Sequence, residues 1–340
     1  RPADRKGLIK RIGVADQNRI QTRWDEAKNS TAADQLLVTA RDTLRDDLLK
    51  AHRSKGPDDR ATVFQNRLGL GGWRCVTAQW SPGTNHCYQD ATLGSDGLQC
   101  WIVCDGVTPT HPATGEYESF RSADVKKFVD QLCLHLLGVV ATAHDPISIV
   151  DCLKRANSWV REYNQANGYK YTVPGRPTPF GATAIIAMAD TSIVKWASLG
   201  DCLIAKPRNA GWRQLNRHQT EDIPAAVEEA RCRTRKQRVR VIAQLRNHKT
   251  CRIQKHIFRG FGVLNGDEQA IEMIDFGTSD APLLVLGSDG IRSALLDNGK
   301  TLPRLPTKPD PTAIKTWFES PDVAANSQDD KTLLMLVNQS

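Results

Sequence analysis

Leu98-Gln99-Cys100-Trp101-Ile102-Val103-Cys104 is an almost unbroken apolar run that ends on Asp105-Gly106. A run this short, closed by a turn pair, reads as a strand buried in a core. The pattern recurs on both sides of it. Asp201 follows the apolar stretch 193–200 (IVKWASLG), Asp289 follows 282–288 (PLLVLGS), Asp329 stands just before 332–337 (TLLMLV), and Asp90 precedes Ala91-Thr92-Leu93. Either Asp-Gly pair alone, 105–106 or 289–290, is an ordinary turn signal. A whole set of Asp at the ends of strongly apolar strands points further, because Asn or Ser would turn the chain equally well. Strand ends are rigid and can hold carboxylates near one another at a sheet edge. Such carboxylates cannot all ionise in a low dielectric unless a cation neutralises them. Hard oxygen donors of this kind suit Mg2+ or Mn2+.

Between these stretches the periodicity alternates without a regular βα repeat. Apolar residues at three- and four-residue steps predict a helix from Ser122, an expected N-cap, with Val125, Phe128, Val129, Leu132 and Leu136 inward. A second helix is expected to open at Asp145-Pro146 and to bury Ile149, Leu153, Ala156, Val160 and Tyr163. Residues 168–180, with three Pro, read as a loop. Strands are expected at 182–189, 193–199, 203–206, 269–276, 283–287 and 332–338. Strands, two adjacent helices, then more strands predict an α+β fold and not a doubly wound parallel sheet. Residues 1–70 are polar and basic and carry one amphipathic helix, 31–52, with Leu36, Leu37, Leu44 and Leu48 on one stripe. We expect this N-terminal extension to be an arm on the main domain, 71–340, or on a partner. The opening Arg1-Pro2-Ala3-Asp4 has no signal-peptide pattern and is expected to be a cut within a longer chain.

In this order the motifs resemble the protein phosphatase 2C family of metal-dependent serine/threonine phosphatases. The family's Asn-Glu-Asp-Ala string is matched by Tyr88-Gln89-Asp90-Ala91, and its strand ending in Asp-Gly by Val103-Cys104-Asp105-Gly106. Gly-x-Thr-Ala is matched by Gly181-Ala182-Thr183-Ala184, Gly-Asp-Ser by Gly200-Asp201-Cys202, and Thr-x-Asp by Thr220-Glu221-Asp222. Leu283 to Gly290 (LLVLGSDG) and Asp329-Asp330-Lys331-Thr332 complete the series. The resemblance covers roughly 71–340, and all the motifs standing in order is what gives it force.

The resemblance implies a four-layer α/β/β/α sandwich with two central antiparallel sheets flanked by helices. It implies a phosphoprotein phosphatase that hydrolyses phosphoserine and phosphothreonine, opposing a Ser/Thr kinase in signalling, by attack of a metal-bound hydroxide. Asp90 and Asp105 would be the catalytic pair. Asp105 would bridge two Mn2+ or Mg2+ ions, the Gly106 carbonyl would bind one, and Asp289 and Asp329 would hold the other, with Asp90 on or just behind these ligands. Asp201 with Asp289 would match a weaker third-metal site. Departures are equally specific. Asn85, with His86 beside it, stands where many members have the Arg that grips the substrate phosphate. Gln89 replaces Glu, and Val107-Thr108-Pro109-Thr110 replaces a small Gly pair. These departures keep a second class open, a catalytically weak or inactive phosphatase-like binding or regulatory module.

Bulk composition narrows the setting. The chain has 340 residues and a formal net charge of +8. Arg231 to Arg259 holds eleven Lys/Arg and no Asp or Glu, so the basicity is local and the remainder is slightly acidic. This run falls within a segment, about 220–260, that corresponds to a variable flap of the family. It reads either as a solvated face or as a docking surface for an acidic or phosphorylated protein. Nucleic acid ranks behind both, because only Phe258 and Phe261 are aromatic nearby. Nine irregularly spaced Cys give neither a disulfide framework nor a paired zinc spacing, which predicts a reducing, cytoplasmic setting. No apolar run approaches a membrane span, so no membrane partner is expected.

Overall fold

In a computed structural model the protein is described over residues 61–65, 72–80, 89–95, 98–107, 122–143, 147–167, 180–190, 192–209, 211–296, 302–308, 310–325 and 329–338. The expected helix at 31–52, and Asn85 and His86, lie outside the described residues. The chain divides into two compact units, Arg1–Asp59 with Gly138–Pro146, and Arg60–Leu137 with Ile147–Ser340. The second unit carries the sheets.

Its strands are, in chain order, β1 (Ala61–Gln65), β2 (Trp73–Trp80), β3 (Ala91–Ser95), β4 (Cys100–Val107), β5 (Gly181–Ala189), β6 (Val194–Leu199) and β7 (Leu203–Arg208). They continue with β8 (Gly211–Gln214), β9 (Thr250–Ile253), β10 (His256–Arg259), β11 (Asp275–Ser279), β12 (Leu283–Gly287) and β13 (Lys331–Asn338). The helices are α1 (Ser122–Thr142), α2 (Ile149–Ala166), α3 (Ile223–Glu229), α4 (Arg235–Leu245) and α5 (Glu268–Ile271). After a 3-10 turn, Asp289–Ile291, come α6 (Arg292–Leu296), α7 (Pro311–Glu319) and α8 (Pro321–Ala325). One six-stranded sheet has the order β1-β2-β13-β12-β7-β8, and a five-stranded sheet has the order β11-β6-β5-β4-β3. Neighbouring strands in both are antiparallel.

The continuous apolar runs follow from burial on both faces. Along β12, Leu283 and Val285 face the helix side with Ile314, Trp317 and Phe318 of α7, while Leu284 and Leu286 face the other sheet. β13 repeats this, with Leu333 and Met335 toward the helices and Leu334 and Leu336 toward Val103, Ile185 and Trp101. A period of two is therefore hidden in a run that is apolar at every position. Each such side chain contributes roughly 1.5–3 kcal/mol on burial. On the outer face of the second sheet, α1 and α2 bury Phe128, Leu132, Leu136 and Leu153. The rings of Phe128, Tyr163 and Phe180 meet there, with Phe128 5.2 Å from Tyr163 and 5.3 Å from Phe180. The layers run helix, sheet, sheet, helix, as expected.

Three expectations need correction. Residues 269–276 are not one strand: α5 covers Glu268–Ile271 and β11 begins at Asp275. The Asp267 side chain accepts from Gln269 N at 3.0 Å, and this cap wins over an alternating pattern that imitates a strand. The second helix starts at Ile149 with Ser148 at its N-cap, later than expected, and Asp145-Pro146 lies outside the described residues. Ser122 is the first residue of α1 itself and not its cap.

Candidate metal centre

Strand direction brings the acidic residues to one end of the sandwich. The starts of β3, β5, β7 and β13 lie beside the ends of β4, β6 and β12, because Ala91 pairs Cys104, Ala184 pairs Leu199, and Gly287 pairs both Leu203 and Leu333. Asp105 is not past its strand, as expected, but inside β4, opposite Thr183. Asp90, the residue before β3, continues the same register to lie opposite Asp105. Asp201 sits in the turn that carries the chain from one sheet to the other. Gly200 makes that turn with φ +92°, and a Cβ there would lie 2.3 Å from Thr183 Cγ2. Asp289 opens the 3-10 turn two residues beyond β12, and Asp329 stands two residues ahead of β13.

The backbone holds these groups tightly. A Cβ on Gly290 would lie 1.9 Å from Asp330 O, so only glycine lets the Asp289 turn rest on the approach to β13. Ser288 and Thr332 lock the two strands, with Ser288 N donating to Thr332 O at 3.2 Å and Thr332 N to Ser288 Oγ at 3.1 Å. Gly106 faces Ala182 in β5, and a Cβ there would strike Val125 of α1 at 2.6 Å.

The electrostatics report mutual proximity. Burial, then Asp330, pushes the Asp90 carboxyl up to about 7, against partial relief from hydrogen bonds with Ser288, Thr332 and Asp105. Asp105 is raised well above the usual range by burial, then by Asp90, Asp289, Asp201 and Asp329. Asp289 is raised by burial, then by Asp201, Asp329 and Asp90, with Arg292 opposing. All five predicted Asp residues are thus brought together. Among the described residues, no group of three or more His, Cys, Asp or Glu side chains is placed so as to hold a metal ion. The donor set nevertheless fits a hard cation: Asp90 Oδ2, Asp201 Oδ1 and Asp289 Oδ1 are buried without a hydrogen-bond donor.

Four residues escaped the sequence reading. Asp330 is buried and its Oδ2 accepts from Gln89 N at 2.5 Å, tying the start of the β3 segment to β13. Strand parity could have found it: Asp330 and Thr332 share the face of Leu334, which points between the sheets. Arg292 donates Nη2 to Asp201 O and Nη1 to Gln214 Oε1, both at 2.5 Å, beside the charges of Asp201 and Asp289. Half-buried His218 shares a 3.1 Å hydrogen bond with Thr220 Oγ1, and burial followed by Arg292 lowers its pKa. Gln219 braces the site, its Oε1 accepting from Gly200 N at 3.1 Å and Gly262 N at 2.9 Å. No local pattern marks Arg292, His218 or Gln219.

The fold has solved counterparts. The serine/threonine phosphatase Stp1 from Staphylococcus aureus superposes with a TM-score of 0.52 at 16% identity, over 80% of this chain and 98% of its own. The catalytic domain of serine/threonine phosphatase PstP in complex with two manganese ions gives 0.47 at 14% identity, over 78% of this chain and 97% of its own. The PstP/Ppp phosphatase of Mycobacterium tuberculosis gives 0.48 at 14% identity, over 79% and 99%. No family model and no curated protein matches the sequence. The chain has the phosphatase 2C fold.

Proposed function

We propose that the protein is a divalent-metal-dependent phosphatase acting on phosphoserine and phosphothreonine in proteins, opposing a Ser/Thr kinase. The observation that supports this reading is the meeting of five carboxylates at one end of a sandwich of the Stp1 type, three of them with buried, undonated oxygens. Asp105, with the Gly106 carbonyl, Asp90, Asp289 and Asp329 would hold two Mg2+ or Mn2+ ions, and Asp201 would complete a third, weaker place. Ions bound there would supply a nucleophile at neutral pH and neutralise charge on the phosphoryl oxygens. The chain's own contribution is placement. Ser288 and Thr332 fix Asp90, the Gly290 turn fixes Asp289, and Arg292 with Gln219 fixes the Asp201 turn. Asn85 and His86 are proposed to stand beside the substrate phosphate.

A second reading, a phosphatase-like binding module, is favoured by one observation. The guanidinium of Arg292 lies beside Asp201 and Asp289 and partly answers the charge that a cation would answer. Hydrolysis of p-nitrophenyl phosphate with and without Mn2+, together with Mn2+ titration calorimetry on the parent and Asp105→Ala, separates the two. The phosphatase reading expects Mn2+-dependent turnover and loss of at least one bound ion in Asp105→Ala. Full turnover in chelator, or no turnover with Mn2+ bound, would sink it.

A further inference from the structure

The basic segment is anchored at the end of the sandwich that carries the acidic residues. Its small core, Ala226, Val241, Leu245, Ile253, Phe261 and Val263, packs against Val107, two residues beyond Asp105. Leu264 bonds with Ala182 in both directions, at 3.1 and 2.9 Å, and Gln219 clamps Gly262 to Gly200. The segment therefore forms part of the rim of the candidate centre.

Its outer face is cationic and poorly answered. α4 begins at a capping box, with Thr234 Oγ1 accepting from Gln237 N, and its first turn holds no acidic residue. Arg233, Arg235, Lys236 and Arg238 are exposed along that turn and just before it. The turn between β9 and β10 brings in Lys255 and His256, the latter 3.0 Å from Glu229 at the end of α3, two residues before Arg231. Three nearby acids are already used, Glu229 by His256, Glu221 by Arg259 and Glu272 by Lys249, which leaves the exposed Glu228 without an ion pair there among the described residues. Arg233, Lys236, Arg238 and Lys255 make no ion pair among the described residues. Like charges held this closely, at the positive end of a helix, raise the free energy of the surface until an anionic partner arrives.

We infer that this face docks an acidic protein segment, so that the substrates of the adjacent centre are phosphoproteins with Asp or Glu near the phosphorylated residue. The identity of the substrate rests on the phosphatase reading, whereas the docking itself does not. Protein is favoured over nucleic acid because the face offers no stacking platform. Phe258 is half-buried, Phe261 is buried, and the exposed apolar side chain of the hairpin is Ile257, which suits an aliphatic contact.

The test is fluorescence anisotropy of the full chain with three probes: a phosphothreonine peptide flanked by Glu, the same peptide flanked by Ala, and a single-stranded oligonucleotide. At low salt the Glu peptide should bind about tenfold tighter than the Ala peptide, the sum of a few screened surface ion pairs. The preference should vanish at about 0.5 M salt, where the screening length falls to a few Å. A variant carrying Arg233→Gln, Lys236→Gln, Arg238→Gln and Lys255→Gln should lose it at low salt, while its rate on p-nitrophenyl phosphate matches the parent's. Equal binding of the two peptides, or a preference retained in the variant, overturns the inference. Tighter binding of the oligonucleotide than of the Glu peptide overturns it in favour of nucleic acid. Because binding is the readout, a protein without turnover still answers the question.

Discussion

Metal-free protein should become less stable as pH rises, the reverse of the usual behaviour of carboxylates paired with cations. Asp90 has a folded pKa raised from 3.8 to about 7. Below pH 4 it is protonated in both states. Between pH 4 and 7 the unfolded chain gives up this proton while the folded chain keeps it, so the unfolded state gains at each step. The stability present below the unfolded pKa is therefore lost as pH passes through the folded value. At 1.36 kcal/mol per unit the loss from Asp90 alone is about 4 kcal/mol. Asp105 and Asp289 are raised as well and push in the same direction. For a unit of this size, about 4 kcal/mol corresponds to roughly 8–16 °C in melting temperature. Between pH 5 and pH 8 about two of these three units are crossed, so thermal melts in chelator at those two pH values should differ by about 3 kcal/mol, roughly 6–12 °C. Saturating Mn2+ at pH 8 should recover the loss, because a bound cation favours the ionised carboxylates. A metal-free melting temperature that is flat or rises across this range would show that the carboxylates do not confront one another as described.

Two further substitutions probe how the centre is held. Gly290→Ala places a Cβ 1.9 Å from the backbone oxygen of Asp330, and should cost about 3 kcal/mol in urea denaturation while weakening Mn2+ binding. An unchanged midpoint would mean that the Asp289 turn does not rest on β13. Arg292→Met removes the hydrogen bonds to Asp201 O and Gln214 and the cation beside Asp201 and Asp289. It should destabilise the metal-free form by about 3 kcal/mol yet tighten Mn2+ binding by calorimetry, whereas weaker binding would make Arg292 an essential support of the ions.

Much of this was legible in the sequence because burial on both faces leaves a strong local trace. β12 falls at 283–287 as read, and the inward face of α1 is the one its periodicity predicts. The Asp residues were legible for the same reason, since each interrupts or borders an apolar run. What escaped depends on distant partners. Arg292 acquires meaning only when Asp201, 91 residues earlier, turns its carbonyl toward it. Gln219 matters because two glycines from separate segments converge on one oxygen. Asp330 was overlooked beside Asp329 although strand parity separates the exposed carboxylate from the buried one. The 269–276 error has a local origin, a one-turn helix whose cap was read as the lead-in to a strand.

The bond from Gln89 N to Asp330 Oδ2 joins residues 241 positions apart, and β13 is an inner strand, between β2 and β12. A ribosome delivers that strand after every other strand of the sheet. Until it inserts, β2 and β12 present bare edges, and the Asp289 turn has nothing to rest on. Pairings of such long range are slow to form, and open edges meanwhile invite association with other chains. A nascent chain halted before Lys331 would therefore carry all five carboxylates, yet lack the strand that holds Asp329 and Asp330 against the others.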